Sequence, residues 1–481
     1  MATRAARKIT VLMSCTFLGL ICGTLYLYSS YGPQLAQELN YTVTESSTIA
    51  LSGTIGVAVA GPLAGFVIDK KGYTKSLVLG GMAIVLGYQG LKYQFDAKKS
   101  SLITSCALLA LVGMGSTFLN STCLKCCAVS FPSIRGVATS LPLALYGLSA
   151  LFYSATASIF FPGNTSSFLG FLSGSSFVIF LLCAPSIMYC DIEPLTRKTH
   201  QRGLSDTLDM SAPGTPTSGR HLSKKSEYHK FEDTMQETDT GGVQLLHSYK
   251  FWLIFILTGS LASLGQMYIY SVGYMVKALV NRTMSQQGIT ELDKMEALIQ
   301  QRQQFQVGLI SIANCVGRIA AGILGDIISQ SFGKSRSYLI FLPTIGFFFT
   351  QVLALLIDNE EGLRTVSLLT GLNYGFIFCI MPIIVGDAFG MNKFSSNWGI
   401  VGLAPIFPSY FFTLLFGNIY DKNSQYNELQ DARVCLHGNA CYSSIFHLTL
   451  GVTITSFILT CILNFGSSHR PSIYRARKPA N

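Results

Sequence analysis

The stretch Gly65-Phe66-Val67-Ile68-Asp69-Lys70-Lys71-Gly72-Tyr73-Thr74-Lys75 closes one apolar run and leads straight into the next. A glycine four residues before an aspartate, then a basic turn containing glycine, reads as a helix leaving an apolar medium and reversing at its edge. The pattern recurs half a chain later, where Gly317-Arg318 and Gly322-x-x-x-Asp326 precede basic Lys334 and Arg336. Leu108-Leu109 with Gly115, and Leu368-Leu369 with Gly375, repeat at a similar offset. A repeat at half-chain period is the mark of a duplicated bundle.

Outward from that motif, apolar stretches of about 20 residues, each long enough to cross a bilayer as a helix, recur along the chain. They fall at 9–31, 47–68, 75–95, 101–124, 136–160, 168–189, 251–276, 304–328, 337–357, 364–388, 395–418 and 444–465. Hydrophobic residues make up 49% and charged residues 12% of the 481, with mean hydropathy +0.42, too little charge to cover soluble domains. The same composition excludes a disordered chain, a coiled coil and a disulfide scaffold. A membrane barrel would show shorter alternating segments. The expected fold is an all-α membrane protein of twelve transmembrane helices in two pseudo-symmetric six-helix bundles: 1–189, a flexible cytosolic linker at 190–249, and 250–481.

Lys and Arg fall more often on the side that carries both termini, which places the termini in the cytosol. Asn-x-Ser/Thr triplets at Asn40, Asn164 and Asn281 then lie outside, as glycosylation requires. Cys435 and Cys441 share an outer loop and are placed to pair in an oxidising lumen. The first apolar run is too long for a signal peptide and reads as the first span. Thr215-Pro216 is a phosphorylation candidate within a segment whose simpler reading is plain linker.

The motif at Gly65, Asp69, Lys70, Gly72 and Lys75 resembles the loop signature of the major facilitator superfamily, with Gly322 and Asp326 as its second-half counterpart. Tyr28-Ser29-Ser30-Tyr31-Gly32-Pro33, Phe131-Pro132-Ser133-Ile134-Arg135-Gly136, Gly147-Leu148-Ser149-Ala150 and Asn397-Trp398-Gly399 are similar to the monocarboxylate-porter-homologue and nodulin-like branch, its fungal vacuolar members above all. The resemblance implies alternating-access transport of a small organic solute, a monocarboxylate or other organic anion, across an internal, vacuolar membrane. It also implies that the motif acts as a conformational gate, Asp69 pairing with a Lys or Arg and with the N-terminus of a neighbouring helix. Porters of this kind carry an Asp one turn before the Arg of span eight and a Lys near the outer end of span one. Here Asn314 stands at the first position, and Tyr26 through Pro33 contains no Lys. Of those three charges only Arg318 is present.

Arg318 falls about eight residues, or roughly 12 Å, from the span end at Asp326. A charge at that depth points to a site or to a buried partner such as Asp326. Arg318 is the candidate anion ligand, with Asn314, Tyr26, Gln266, Tyr270, Asn373 and Tyr374 as neighbours. Tyr26 with Ser30, and Gln266 with Tyr270, each share a helix face. Gly19/Gly23, Gly61/Gly65, Gly371/Gly375 and Gly386/Gly390 allow close helix packing. Pro62, Pro142, Pro343, Pro382, Pro405 and Pro408 are expected to bend or break spans. The seven His fall in loops or at span ends, and Cys123-x-x-Cys126-Cys127 is half a zinc motif on an apolar helix. No phosphate loop or hydrolase elbow occurs. The chain is thus expected to be no enzyme and to take no metal, cofactor or nucleic acid. It is expected to work as a monomer in the lipid bilayer on a small-molecule substrate. The competing reading is a receptor or nutrient sensor on the same fold.

Overall fold

The computed structural model describes residues 2–41, 43–161, 164–192, 240–287, 292–427 and 432–466. Most of the expected linker, Thr215 included, and the chain beyond 466 lie outside them. In the first half, α1 (Ala2–Cys22) passes through a 3-10 turn, Gly23–Leu27, into α2 (Tyr28–Glu38). Then follow α3 (Val43–Lys71), α4 (Tyr73–Asp96), α5 (Leu102–Ser130), α6 (Arg135–Phe160) and α7 (Thr165–Ile192). The second half has a short α8 (Val243–Leu246), then α9 (Tyr249–Gln287), α10 (Leu292–Gln330), α11 (Phe341–Leu356) and α12 (Glu360–Phe389). It ends with α13 (Phe394–Val401), α14 (Ile406–Lys422), a hairpin of β1 (Gln425–Asn427) and β2 (Ala432–Val434), and α15 (Ser443–Phe465).

Among the described residues, eleven helical segments are long and apolar enough to cross a membrane. The expected third span is α4, where Gly, Tyr and Gln dilute the apolar run; it packs against α5 and α7 through buried Leu77, Ile84, Tyr88 and Leu91. In hydrocarbon a helix satisfies its own amides, which is why these segments are helical. The turn from α3 to α4 runs through Gly72 at φ +83°, a left-handed backbone that suits glycine. Asp191, at the end of α7, caps the new helix: it accepts from the Tyr73 amide at 2.9 Å and the Thr74 amide at 2.7 Å.

Three details depart from the expected spans. Span eleven is two helices, broken at 402–405, a segment that ends in Pro405, whereas Pro62, Pro142 and Pro382 sit inside continuous helices. Helices α9 and α10 are each 39 residues long, well beyond their apolar runs. The polar extension of α9 packs with the loop after the β hairpin: Arg282 pairs with Asp358, which also accepts from the Asn439 amide at 3.2 Å. Cys435 and Cys441 form a disulfide in that loop. Asn281 is the third departure. It is 2% exposed inside α9, so no glycan fits there in this conformation; Asn40 and Asn164 are exposed on the same face as the disulfide.

Candidate inter-half gate and central cluster

Asp69 ends α3 in the first half, and its carboxylate reaches the second. It accepts from the Ser396 amide at 2.8 Å and the Ser395 amide at 3.3 Å, the first turn of α13. Lys125 of α5 donates to it at 2.5 Å and to the Asn392 carbonyl at 3.2 Å. Asp326 ends α10 and does the reverse. It accepts from the Gly136 and Val137 amides, each at 2.8 Å, at the start of α6, and from Arg336 at 3.2 Å. Each half therefore puts a carboxylate on the positive end of a helix in the other half. Asp387 adds a third tie, accepting from Arg135 of the first half at 3.0 Å and from Arg336 of its own at 2.5 Å.

Glycine makes these approaches possible. A Cβ on Gly65 would collide with the Ser395 carbonyl, and one on Gly322 with that of Gly136; Gly61 and Gly399 meet backbone to backbone. The two halves thus seal this face along two seams, α3 with α13 and α6 with α10. The described end of the linker is tied to one of them. The Thr240 amide donates to the Phe389 carbonyl at 3.1 Å, and Asn397 Nδ2 donates to the Thr240 carbonyl at 2.8 Å.

Above the gate lies an aromatic and cationic cluster. Arg318 is 3% exposed. Its Nε donates to Asn314 Oδ1 at 2.8 Å, its Nη1 to the Leu143 carbonyl of α6 at 2.7 Å, and its Cζ stands 5.3 Å from the Tyr146 ring centroid. Tyr146 meets Tyr26 edge to face at 5.9 Å. Tyr270 of the second half lies beside Tyr26 and Thr54 of the first, and Tyr374 beside Tyr26, Tyr270 and Gln266. Tyr26 and Tyr270 remain 44% and 47% exposed although they sit between the halves. These two tyrosines carry most of the cluster's exposed surface.

Of the expected ligands, Arg318, Asn314, Tyr26, Tyr270, Tyr374 and Gln266 come together; Gln266 also accepts from Ser409 of α14. Asn373 does not join them. It donates to the Leu369 carbonyl at 2.8 Å and faces Gly346 of α11. Asp326 pairs with Arg336, not Arg318. The lysine that Asp69 takes is Lys125, while in the basic turn Lys70 stacks on Phe66 and Lys75 is exposed. Sequence reading gave no partner or role to Lys125, Arg135, Arg336, Asp387 or Tyr146, although Arg135 and Arg336 stand in the quoted motifs. The first four are charges at span ends on one face, which is a usable signal. Tyr146 lies in an apolar run, and the one signal beside it is the Gly147-Leu148-Ser149-Ala150 stretch that it directly precedes.

Comparison with known proteins fits this geometry. Residues 12–405 match the Major Facilitator Superfamily. An uncharacterized membrane protein of Saccharomyces cerevisiae is 27% identical, covering 89% of each chain. A probable transporter, MCH1, of Wickerhamomyces anomalus is 25% identical over 85% of this chain and 78% of its own. The solved proton:xylose symporter XylE superposes with TM-score 0.61 at 13% identity, covering 94% of this chain and 96% of its own.

Proposed function

Because the chain belongs to the Major Facilitator Superfamily, we propose that it is an alternating-access secondary transporter of a small organic anion, held with its cytosolic face closed and its central cluster open to the other side. The observation that carries this reading is the crossed capping. Asp69 and Asp326 each hold a helix of the opposite half, so the seal breaks when the halves move apart. Such a contact suits two bundles that rock about a midplane site.

The cluster supports an anionic solute. Arg318 offers a planar guanidinium fork that fits a carboxylate. Among the described residues it pairs with no acid, and its bonded partners, Asn314 and the Leu143 carbonyl, are neutral. The tyrosines supply hydroxyl donors and flat apolar walls. A monocarboxylate is the simplest solute of that description. The motifs at Tyr28–Pro33 and Phe131–Gly136, which resemble those of fungal vacuolar porter homologues, favour an internal, vacuolar membrane, with both termini cytosolic and glycans at Asn40 and Asn164. The protein acts as a monomer.

Uptake into sealed proteoliposomes tests the reading. Radiolabelled pyruvate and benzoate should enter with the purified protein, and Arg318→Ala should cut the rate by about 10²-fold, the loss of one charged, desolvated contact. Unchanged uptake by the variant would remove Arg318 from the site. The rival reading, a sensor on the same fold, is distinguished by ligand-dependent protection of the linker from protease without movement of solute.

A further inference from the structure

The charges around Arg318 bear on how transport is coupled. The titratable groups facing it are Tyr146 on α6, Tyr374 and Cys379 on α12, and Cys315 on its own helix. All are neutral in their ordinary form, and none is a carboxylate. The guanidinium is held by Nε and Nη1, while none of the hydrogen bonds among described residues uses Nη2. One of its two anchors, the Leu143 carbonyl, belongs to the opposite half. When the halves swing apart at the gate, that anchor is lost.

A buried charge with only neutral partners is costly, and losing one partner raises the cost. Opening the gate from its closed position demands this of the empty protein. A monoanion on Nη2 cancels the charge and removes the obstacle. A proton carrier would do the same if an acid stood beside the arginine, but Asn314 cannot ionise. We propose that the protein crosses between its two faces with an anion on Arg318 and not empty, which makes it an exchanger of organic monoanions and not a proton symporter. This rests on the anion reading above.

The test uses the full-length protein in two formats. In the first, Ser140→Cys places a thiol in the α6–α10 seam, where Ser140 is 1% exposed. Its alkylation in substrate-free protein is followed by mass spectrometry at that site. Labelling should be slow with Arg318 intact. It should rise roughly tenfold or more in Arg318→Ala, and likewise in Asn314→Asp, whose carboxylate neutralises the arginine. Equal labelling with and without Arg318 overturns the proposal. In the second, pyruvate or benzoate trapped inside vesicles should speed uptake of the labelled probe roughly tenfold over empty vesicles, and Asn314→Asp should erase that difference by admitting net uptake with a proton. Equal uptake into empty and loaded vesicles overturns exchange and leaves an anion carrier standing. Failure of both probes to move, with the labelling pattern intact, instead counts against the anion reading and upholds the charge-controlled crossing.

Discussion

Lys125 is a lysine whose side chain is 11% exposed, facing a carboxylate that is 6% exposed. Removing one partner of so buried a pair strands the other, at a typical cost of about 3–5 kcal/mol. Lys125→Ala is therefore expected to lower the melting temperature of the detergent-solubilised protein sharply. Adding Asp69→Asn to it should restore part of the loss, because the asparagine still accepts from the Ser396 amide and no longer leaves a charge unpaired. A double variant as unstable as the sum of its singles would show that the pair is not coupled. The same residue shows what could be read beforehand. Asp69 stood out because a glycine and a basic turn surround it. Its partner did not, since a single lysine near the end of an apolar run looks like any span-end charge. The pairings of Arg135 with Asp387 and of Asp191 with the start of α4 join residues more than a hundred positions apart, and one sequence carries no record of that.

At the scale of elements, hydropathy located the spans because the bilayer demands it, and fell silent where the bilayer ends. The extensions of α9 and α10 are polar, so nothing in their composition distinguishes helix from loop. The break in span eleven was half visible, since Pro405 and Pro408 are both candidates; Pro405 caps α14, while Pro408 lies inside it. The segment that precedes α9 was assigned to a featureless linker, yet its end is built into the gate. Leu245 on α8 is fully buried in the second-half core, and Asn397 holds Thr240 from the first turn of α13, the same turn whose amides bind Asp69. The linker is thereby attached to the helix end that closes the seam. Asn397→Leu removes the donor to Thr240. It is expected to raise protease cleavage around residues 240–248 several-fold, while lowering the unfolding free energy by no more than about 1 kcal/mol, the worth of one hydrogen bond. Unchanged cleavage would mean that Leu245 alone holds the strap.

For the whole molecule, the two seams raise a question that neither answers alone. If the halves are rigid bodies that rock, the α3–α13 seam and the α6–α10 seam open in one motion, and weakening either lock shifts the same equilibrium. If instead each helix end is a separate flap, a change at one seam stays local. Asp69 touches only the first seam, and Ser140 lies in the second. Made in a Lys125→Gln background, so that no lysine charge is stranded, Asp69→Asn weakens two charge-assisted bonds to helix amides, about 1–3 kcal/mol in all. In a rocking molecule it should raise alkylation of the Ser140→Cys thiol roughly tenfold, although nothing near that thiol has changed. Asp326→Asn should do as much, and the two together should multiply to roughly a hundredfold, because free energies that bias one equilibrium add when the sites share no partner. Labelling that responds to Asp326→Asn and ignores Asp69→Asn would show independent flaps, and the crossed caps would then be two fasteners on a single static face instead of the closed position of one hinge.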